Sequence, residues 1–284
     1  MESGITQIKM SEEVRGRFAA FIETEFGIKM PAIKKTLLEG RLAKRLRALS
    51  FSSFDEYCDY LFSASGHEKE LPYFSDLVST HKTDFFREPS HYETLRSKIL
   101  PEFAARGIGV NRPLDLWSAA CSTGEEPYTL AMVLDDYGKS LPAYRYTILG
   151  SDISEPALAK ALRAVYHEHL TKPIPEMFRK AYLFRGSGDK SHLVRIAPVL
   201  RAQVRFRAIN LMDEEYAVGS LMDIIFCRNV LIYFDKENQG RIIARLAENL
   251  RPGGYLILGH SETILGPHPI MKAVVSTVYQ KVQL

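Results

Sequence analysis

Residues Leu114-Asp-Leu-Trp-Ser-Ala-Ala-Cys-Ser-Thr-Gly-Glu-Glu-Pro-Tyr128 limit the possible folds more than any other stretch. A short apolar run ends in small residues and one glycine, two carboxylates follow, and Pro127 to about Leu134 suits a helix. The pattern predicts a strand, a tight turn and a helix start. In an open α/β sheet such a corner lies at the carboxyl end of a strand, where ligands bind. A dinucleotide loop leaves glycine N–H groups free for a pyrophosphate. Here Glu125 and Glu126 occupy the helix start and would repel a phosphate. They suit a cation, such as the ammonium group of a nucleoside that carries an amino acid.

The rest of the chain fits this corner into an α/β domain. From Pro113 onward, strand candidates (Leu114–Ala120, Tyr146–Ile153, Val204–Leu211, Asp223–Tyr233, Tyr255–His260) alternate with helix candidates (Pro127–Asp136, Glu155–Ala164, Lys236–Leu250). A closing strand pair spans Met271 to Val282. Alternation of this kind predicts a doubly wound, mainly parallel sheet covered on both faces. Arg251-Pro-Gly-Gly254 reads as a helix stop and turn. Between about 166 and 203, two short strand-like runs flank a glycine turn, which predicts an inserted antiparallel β unit. Residues 1–80 read as a separate helical domain, with starts at Ser11 and Ser52 and a stop at Gly66. Residues 81–112 form a polar and aromatic link followed by a helix from His91 to Ala105, and 113–284 form the α/β domain.

The totals narrow the class. Length 284, with 46% hydrophobic and 25% charged residues, suits a globular protein with its own core rather than a disordered chain. No apolar run reaches the length of a membrane span, and Met1–Gln7 lacks the basic and apolar parts of a leader. Cys58, Cys121 and Cys227 form no C-x-x-C pair and read as free thiols in a cytoplasmic protein. A net charge of +3 does not by itself imply nucleic acid.

Further residues carry chemistry. Asp152 ends the second strand 28 residues after Gly124, where an acid receives ribose hydroxyls or serves a helix start. Arg228 and Asn229 follow the apolar run Ile224-Ile-Phe226, and buried polar groups need partners or a cavity. That strand should lie beside the first, at the switch point, and Tyr233 could present its hydroxyl there or fill the core. His260 ends a strand, where a polar terminus is commoner than a base. His81, Thr83 and Arg87 surround Phe85 and Phe86, an arrangement in which aromatics anchor a loop and polar groups face a ligand. Lys29 to Arg47 holds seven bases against Glu39. Leu38, Leu42, Leu46 and Leu49 form an apolar stripe, with Lys34, Arg41, Lys44 and Arg45 beside it. Such a face is either simply solvated or docks an acidic helix.

Together, T-x-F-F-R-E, W-S-A-A-x-S-T-G-E-E-P-Y, S-D-I and F-C-R-N-V-x-I-Y-F-D resemble bacterial chemotaxis receptor methyltransferases (CheR) over nearly the whole chain. The resemblance implies methyl transfer from S-adenosylmethionine to glutamate side chains of chemoreceptors, with S-adenosylhomocysteine as product, on a class I methyltransferase fold. It implies cofactor contacts at His81, Thr83, Arg87, Glu126, Asp152, Asn210, Leu211, Arg228 and Asn229. Arg87 and Tyr233 would handle the substrate. Lys34, Arg41, Lys44 and Arg45 would meet the cytoplasmic helical domain of the receptor. The insertion resembles a β-subdomain that in some members binds a receptor tether peptide. The resemblance selects Glu126 as ligand and leaves Glu125 at the helix start. It implies a cytoplasmic monomer without nucleic-acid partner or membrane insertion. Two departures are visible: His81 stands where some relatives have Asn, and the turn Arg185–His192 lacks a proline and a third glycine. Amino-adenine nucleic-acid methyltransferases carry Asn/Asp-Pro-Pro-aromatic after the fourth strand, whereas Asn229 precedes Val-Leu-Ile-Tyr. A non-catalytic cofactor-binding regulator is the remaining rival.

Overall fold

The computed structural model describes residues 9–264, 266 and 268–282; the Met1–Gln7 reading falls outside them. Four helices come first: α1 (Glu12–Phe26), α2 (Lys35–Leu49), α3 (Phe54–Leu61) and α4 (Ala64–Val78). Side chains cap three of their starts. Ser11 accepts from the Val14 amide, Ser53 from Glu56 and Ser63 from Gly66. These hydrogen bonds satisfy amides that have no partner within the helix. Gly66, expected as a stop, instead sits in the first turn of α4, because Ser63 caps that turn. Leu38, Leu42 and Leu46 are fully buried at i, i+4 spacing, on one apolar cluster with Phe18, Ile22 and Phe74.

The link follows, then α5 (Ser90–Thr94), a π turn (Leu95–Ile99) and α6 (Leu100–Ala105), where one regular helix was expected. The α/β domain contains β1 (Leu114–Ala119), α7 (Glu125–Gly138), β2 (Tyr146–Asp152) and α8 (Glu155–Arg163). The insertion holds β3 (Val165–His167), α9 (Glu176–Tyr182), β4 (Leu183–Arg185) and β5 (Leu193–Ile196). Its antiparallel sheet has the order β3-β5-β4. After it come α10 (Pro198–Arg201), β6 (Val204–Ala208), β7 (Met222–Cys227), α11 (Lys236–Glu248), β8 (Leu250–Leu258), β9 (Met271–Val275) and β10 (Val278–Lys281). The main sheet has seven strands in the order β6-β2-β1-β7-β8-β10-β9. Its first five strands pair in parallel and the last two join antiparallel. This is the expected mainly parallel, doubly wound sheet. β7 lies beside β1, so the switch point falls between the ends of β1 and β7.

The third and fourth strands end well short of expectation, the fourth because a side chain takes its backbone amides. The fourth strand stops at Cys227 rather than Tyr233. Beyond it, the amides of Asn229 and Leu231 donate at 2.8 Å to the Glu262 carboxylate instead of a neighbouring strand. The third strand stops at Ala208. Arg251 to Gly254, read as a turn, belongs to β8, and the register against β7 shifts there.

Candidate active site

The corner after β1 is built from backbone in rarely adopted conformations. Ala120 and Ser122 have φ of 56° and 51°, and Gly124 has 97°. A Cβ on Gly124 would meet the Ala161 Cβ at 2.7 Å and the Tyr166 hydroxyl at 2.9 Å, so only glycine fits. The turn delivers Glu125 and Glu126 to the first turn of α7, where the helix dipole favours negative charge. The two carboxylates then part. Glu125 is buried and accepts from Thr123 Oγ1. Glu126 lines the cavity.

Glu126 is held from both sides. Ser118 Oγ, on β1, donates to Oε1 at 2.7 Å, and Arg228 Nη1 donates to Oε2 at 3.0 Å. Burial pushes its carboxyl above the usual range, and Arg228 and Ser118 oppose this. Arg228 also donates to the Glu88 carboxylate at 2.9 Å, to the Tyr92 hydroxyl and to the Arg87 carbonyl. Its side chain is 1% exposed, and Nε has no partner among the described residues. The polar residues after β7 thus meet both a cavity and partners, as burial requires.

Asp152, at the end of β2, accepts from the Ser122 amide at 2.7 Å and the Ser154 amide at 3.0 Å. Burial raises its carboxyl while these amides lower it. The helix start is served by Ser154 itself, which caps α8. Each Asp152 oxygen therefore retains a lone pair for a further donor.

One cavity gathers most of the expected residues: His81, Thr83, Arg87, Glu126, Asp152, Asn210, Leu211, Arg228, Asn229 and Tyr233. Several are already engaged. The His81 ring nitrogen lies 3.0 Å from both the backbone and side-chain oxygens of Asp76. Asn210 donates to the Glu25 carbonyl at 2.8 Å, tying the end of β6 to α1. Arg87 donates to the Lys82 carbonyl. The link is anchored by its aromatics, with Phe86 stacked on Phe178 at 5.5 Å and Phe85 edge-on to Tyr166 at 5.0 Å.

The basic face of α2 divides. Lys34 and Arg41 line the cavity, together with Phe26, Ile28, Met30 and Leu37 of the helical domain. Arg41 is tied to the Val78 carbonyl and Thr80. Arg45 leaves the docking face, because its Nε and Nη2 pair with Glu70, a carboxylate only 1% exposed. Lys44 is exposed.

Sequence reasoning missed Glu88, Glu262, Tyr92 and the helical domain's share of the cavity wall. Glu88 has φ of 57° and binds Arg228, Asn229 and the His260 amide. Its only signal was a carboxylate next to Arg87 in the link.

The two parts of the chain match two family models. Residues 16–79 match the family model described as CheR methyltransferase, all-alpha domain, and residues 81–280 match CheR methyltransferase, SAM binding domain. The chain belongs to the CheR methyltransferase family. The "Chemotaxis protein methyltransferase" of Borreliella burgdorferi is 34% identical over 276 residues, 96% of each chain. "Chemotaxis protein methyltransferase 2" of Pseudomonas aeruginosa is 38% identical, over 89% of this chain and 87% of that one. The Escherichia coli "Chemotaxis protein methyltransferase" is 37% identical, over 90% and 86%.

The cofactor of this CheR-family methyltransferase is S-adenosylmethionine, and the residues present fit it. The cavity offers two carboxylates with lone pairs to spare, Glu126 and Asp152, and among the described residues the buried Arg228 Nε–H has no partner, a donor set that suits an amino acid joined to a ribose. No described helix is long and apolar enough to cross a membrane.

Proposed function

We propose that this chain methylates glutamate side-chain carboxylates on the cytoplasmic helical domain of chemoreceptors, forming methyl esters. The observation that carries this is the acidic corner: half-buried Glu126 and buried Asp152 share one cavity with the cation Arg87 and the phenol Tyr233. The relatives' names supply the chemotaxis setting.

In this reading Glu126 holds the cofactor's ammonium and Asp152 its ribose hydroxyls. Thr83, Arg87, Asn210, Leu211 and Asn229 complete the wall, with His81 at its edge. Arg228 acts chiefly by fixing Glu126. Bound S-adenosylmethionine supplies a methyl group on a sulfonium, which departs as a neutral thioether. A glutamate, with a reference pKa of about 4.3, is already an anion near neutral pH, so no side chain need act as a base. The protein's task is alignment and exclusion of water, which can be worth roughly 7–11 kcal/mol. Arg87 draws the substrate carboxylate in, and Tyr233 sets its angle. A tighter arginine pair would blunt the carboxylate as a nucleophile. Lys34 and Lys44 offer charge to an acidic helix beside the exposed Ile33 and Leu37. The protein would act in the cytoplasm as a monomer, with the β-subdomain available to a tether peptide.

Purified protein incubated with methyl-labelled cofactor and receptor-containing membranes should yield label that mild base releases as methanol. Label that stays base-stable, or passes to nucleic acid, would overturn the proposal.

A further inference from the structure

Behind the Arg228 hub, Glu88, His91 and His260 converge outside the cofactor cavity's lining. One ligand atom from each lies within 4.8 Å of the others. The His91 and His260 rings approach to 4.7 Å, tilted by 69°. His91 is 3% exposed, and its Nδ1 has no hydrogen-bond partner among the described residues.

The hydrogen-bond network decides what that nitrogen carries. Thr277 Oγ1 donates to the Ser276 carbonyl at 2.8 Å, so it accepts from His91 Nε2, also at 2.8 Å. The neutral ring therefore keeps its proton on Nε2 and bares a lone pair on Nδ1. Glu88 accepts from Arg228 Nη2 at 2.9 Å and from the His260 amide at 3.2 Å on Oε2, and from Asn229 Nδ2 at 3.0 Å on Oε1. The bare Nδ1 thus faces a carboxylate oxygen, Glu88 Oε2, at 3.5 Å. Of these two acceptors only the buried Nδ1 is without a donor among the described residues, and a buried lone pair left unmatched is unfavourable.

We propose that Glu88 Oε2, His91 Nδ1 and an imidazole nitrogen of His260 form a site for a divalent transition-metal ion of the zinc type. Ligands about 2.0–2.2 Å from a tetrahedral zinc lie about 3.3–3.5 Å apart, which matches the Nδ1–Oε2 separation. Thr277 orients His91 from behind, and Asn229 Nδ2 holds the second Glu88 oxygen at 3.0 Å, the outer support that metal ligands need. His260 is exposed and, with Thr277, lines an open groove that admits the ion and leaves a water position.

The test is a titration of the chelator-treated full chain with Zn2+ by calorimetry, and with Co2+ by visible absorption. One equivalent of metal should bind and give the intense bands of tetrahedral Co2+. His260→Ala, an exposed change that spares the core, should remove the bands. Thr277→Val, which keeps the side-chain shape, should weaken binding about 10- to 100-fold. His169→Ala, in the exposed group of His167, His169 and His192, should change nothing. Absence of stoichiometric binding, unchanged affinity in His260→Ala, or loss of binding in His169→Ala would each overturn the proposal.

Discussion

Replacing Arg228 with methionine tests whether the hub works through Glu126. Methionine approximates the length of the arginine stem and removes the charge. Arg228 is 1% exposed and joins Glu88 at 2.9 Å to Glu126 at 3.0 Å. Breaking a buried ion pair by removing one partner costs about 3–5 kcal/mol, because the remaining charge is uncompensated. For a chain of this size that corresponds to a loss of about 6–10 °C in melting temperature. The larger consequence concerns protonation. Burial already raises the Glu126 carboxyl, and Arg228 is the main group holding it down. Without Arg228 the effect of burial is less opposed, so Glu126 takes up a proton more readily and its attraction for an ammonium weakens. A charge-assisted hydrogen bond is worth about 1.5–3 kcal/mol, so cofactor affinity should fall about 10- to 150-fold at pH 7. Raising the pH deprotonates Glu126 and should restore part of the loss. Calorimetric titration of S-adenosylhomocysteine from pH 6 to 9 reads both effects. A variant that bound at pH 7 like the parent, or whose deficit was the same at every pH, would refute the reasoning.

Three further outcomes are expected. Arg45→Ala should cost about 3 kcal/mol in denaturant titrations, because it strands buried Glu70, while Lys44→Ala should change stability by less than about 0.5 kcal/mol; Lys44→Glu should instead slow receptor methylation with cofactor binding intact, and the reverse pattern would show the docking face misassigned. Tyr233→Phe should lower turnover about 2- to 10-fold at unchanged cofactor affinity, the scale of one hydrogen bond; unchanged turnover would remove Tyr233 from the substrate's path. In chelator, the unfolded chain protonates His91 near 6.5 whereas the folded chain holds the ring neutral down to about 4, so stability should fall as pH drops through that window and level off above it; denaturation midpoints should show the slope, and it should shrink in His91→Gln.

The sequence alone determined the kind of architecture and the chemistry of its corner. Strand and helix periodicities are local, so the alternation from Pro113 onward was readable, and with it the parallel sheet. Gly124 and the acids after it could be placed because a tight strand-to-helix turn leaves little choice of residue there. The inserted antiparallel sheet could be read because a glycine turn between two short strands is also local. What the sequence could not supply was the pairing of distant polar groups. Asn229 and Leu231 leave the strand pattern because Glu262, some 30 residues on, takes their amides. Arg45 looked like a free base until the fold brought Glu70 against it. Glu88 carried almost no signal, yet it joins Arg228, Asn229 and His260. A buried charge is satisfied by whichever partner the tertiary packing brings within reach, and no local periodicity records that choice. For the same reason only the assembled fold revealed that α1 and α2 wall the cavity, and that Glu125, beside the Glu126 already singled out by family resemblance, turns to Thr123.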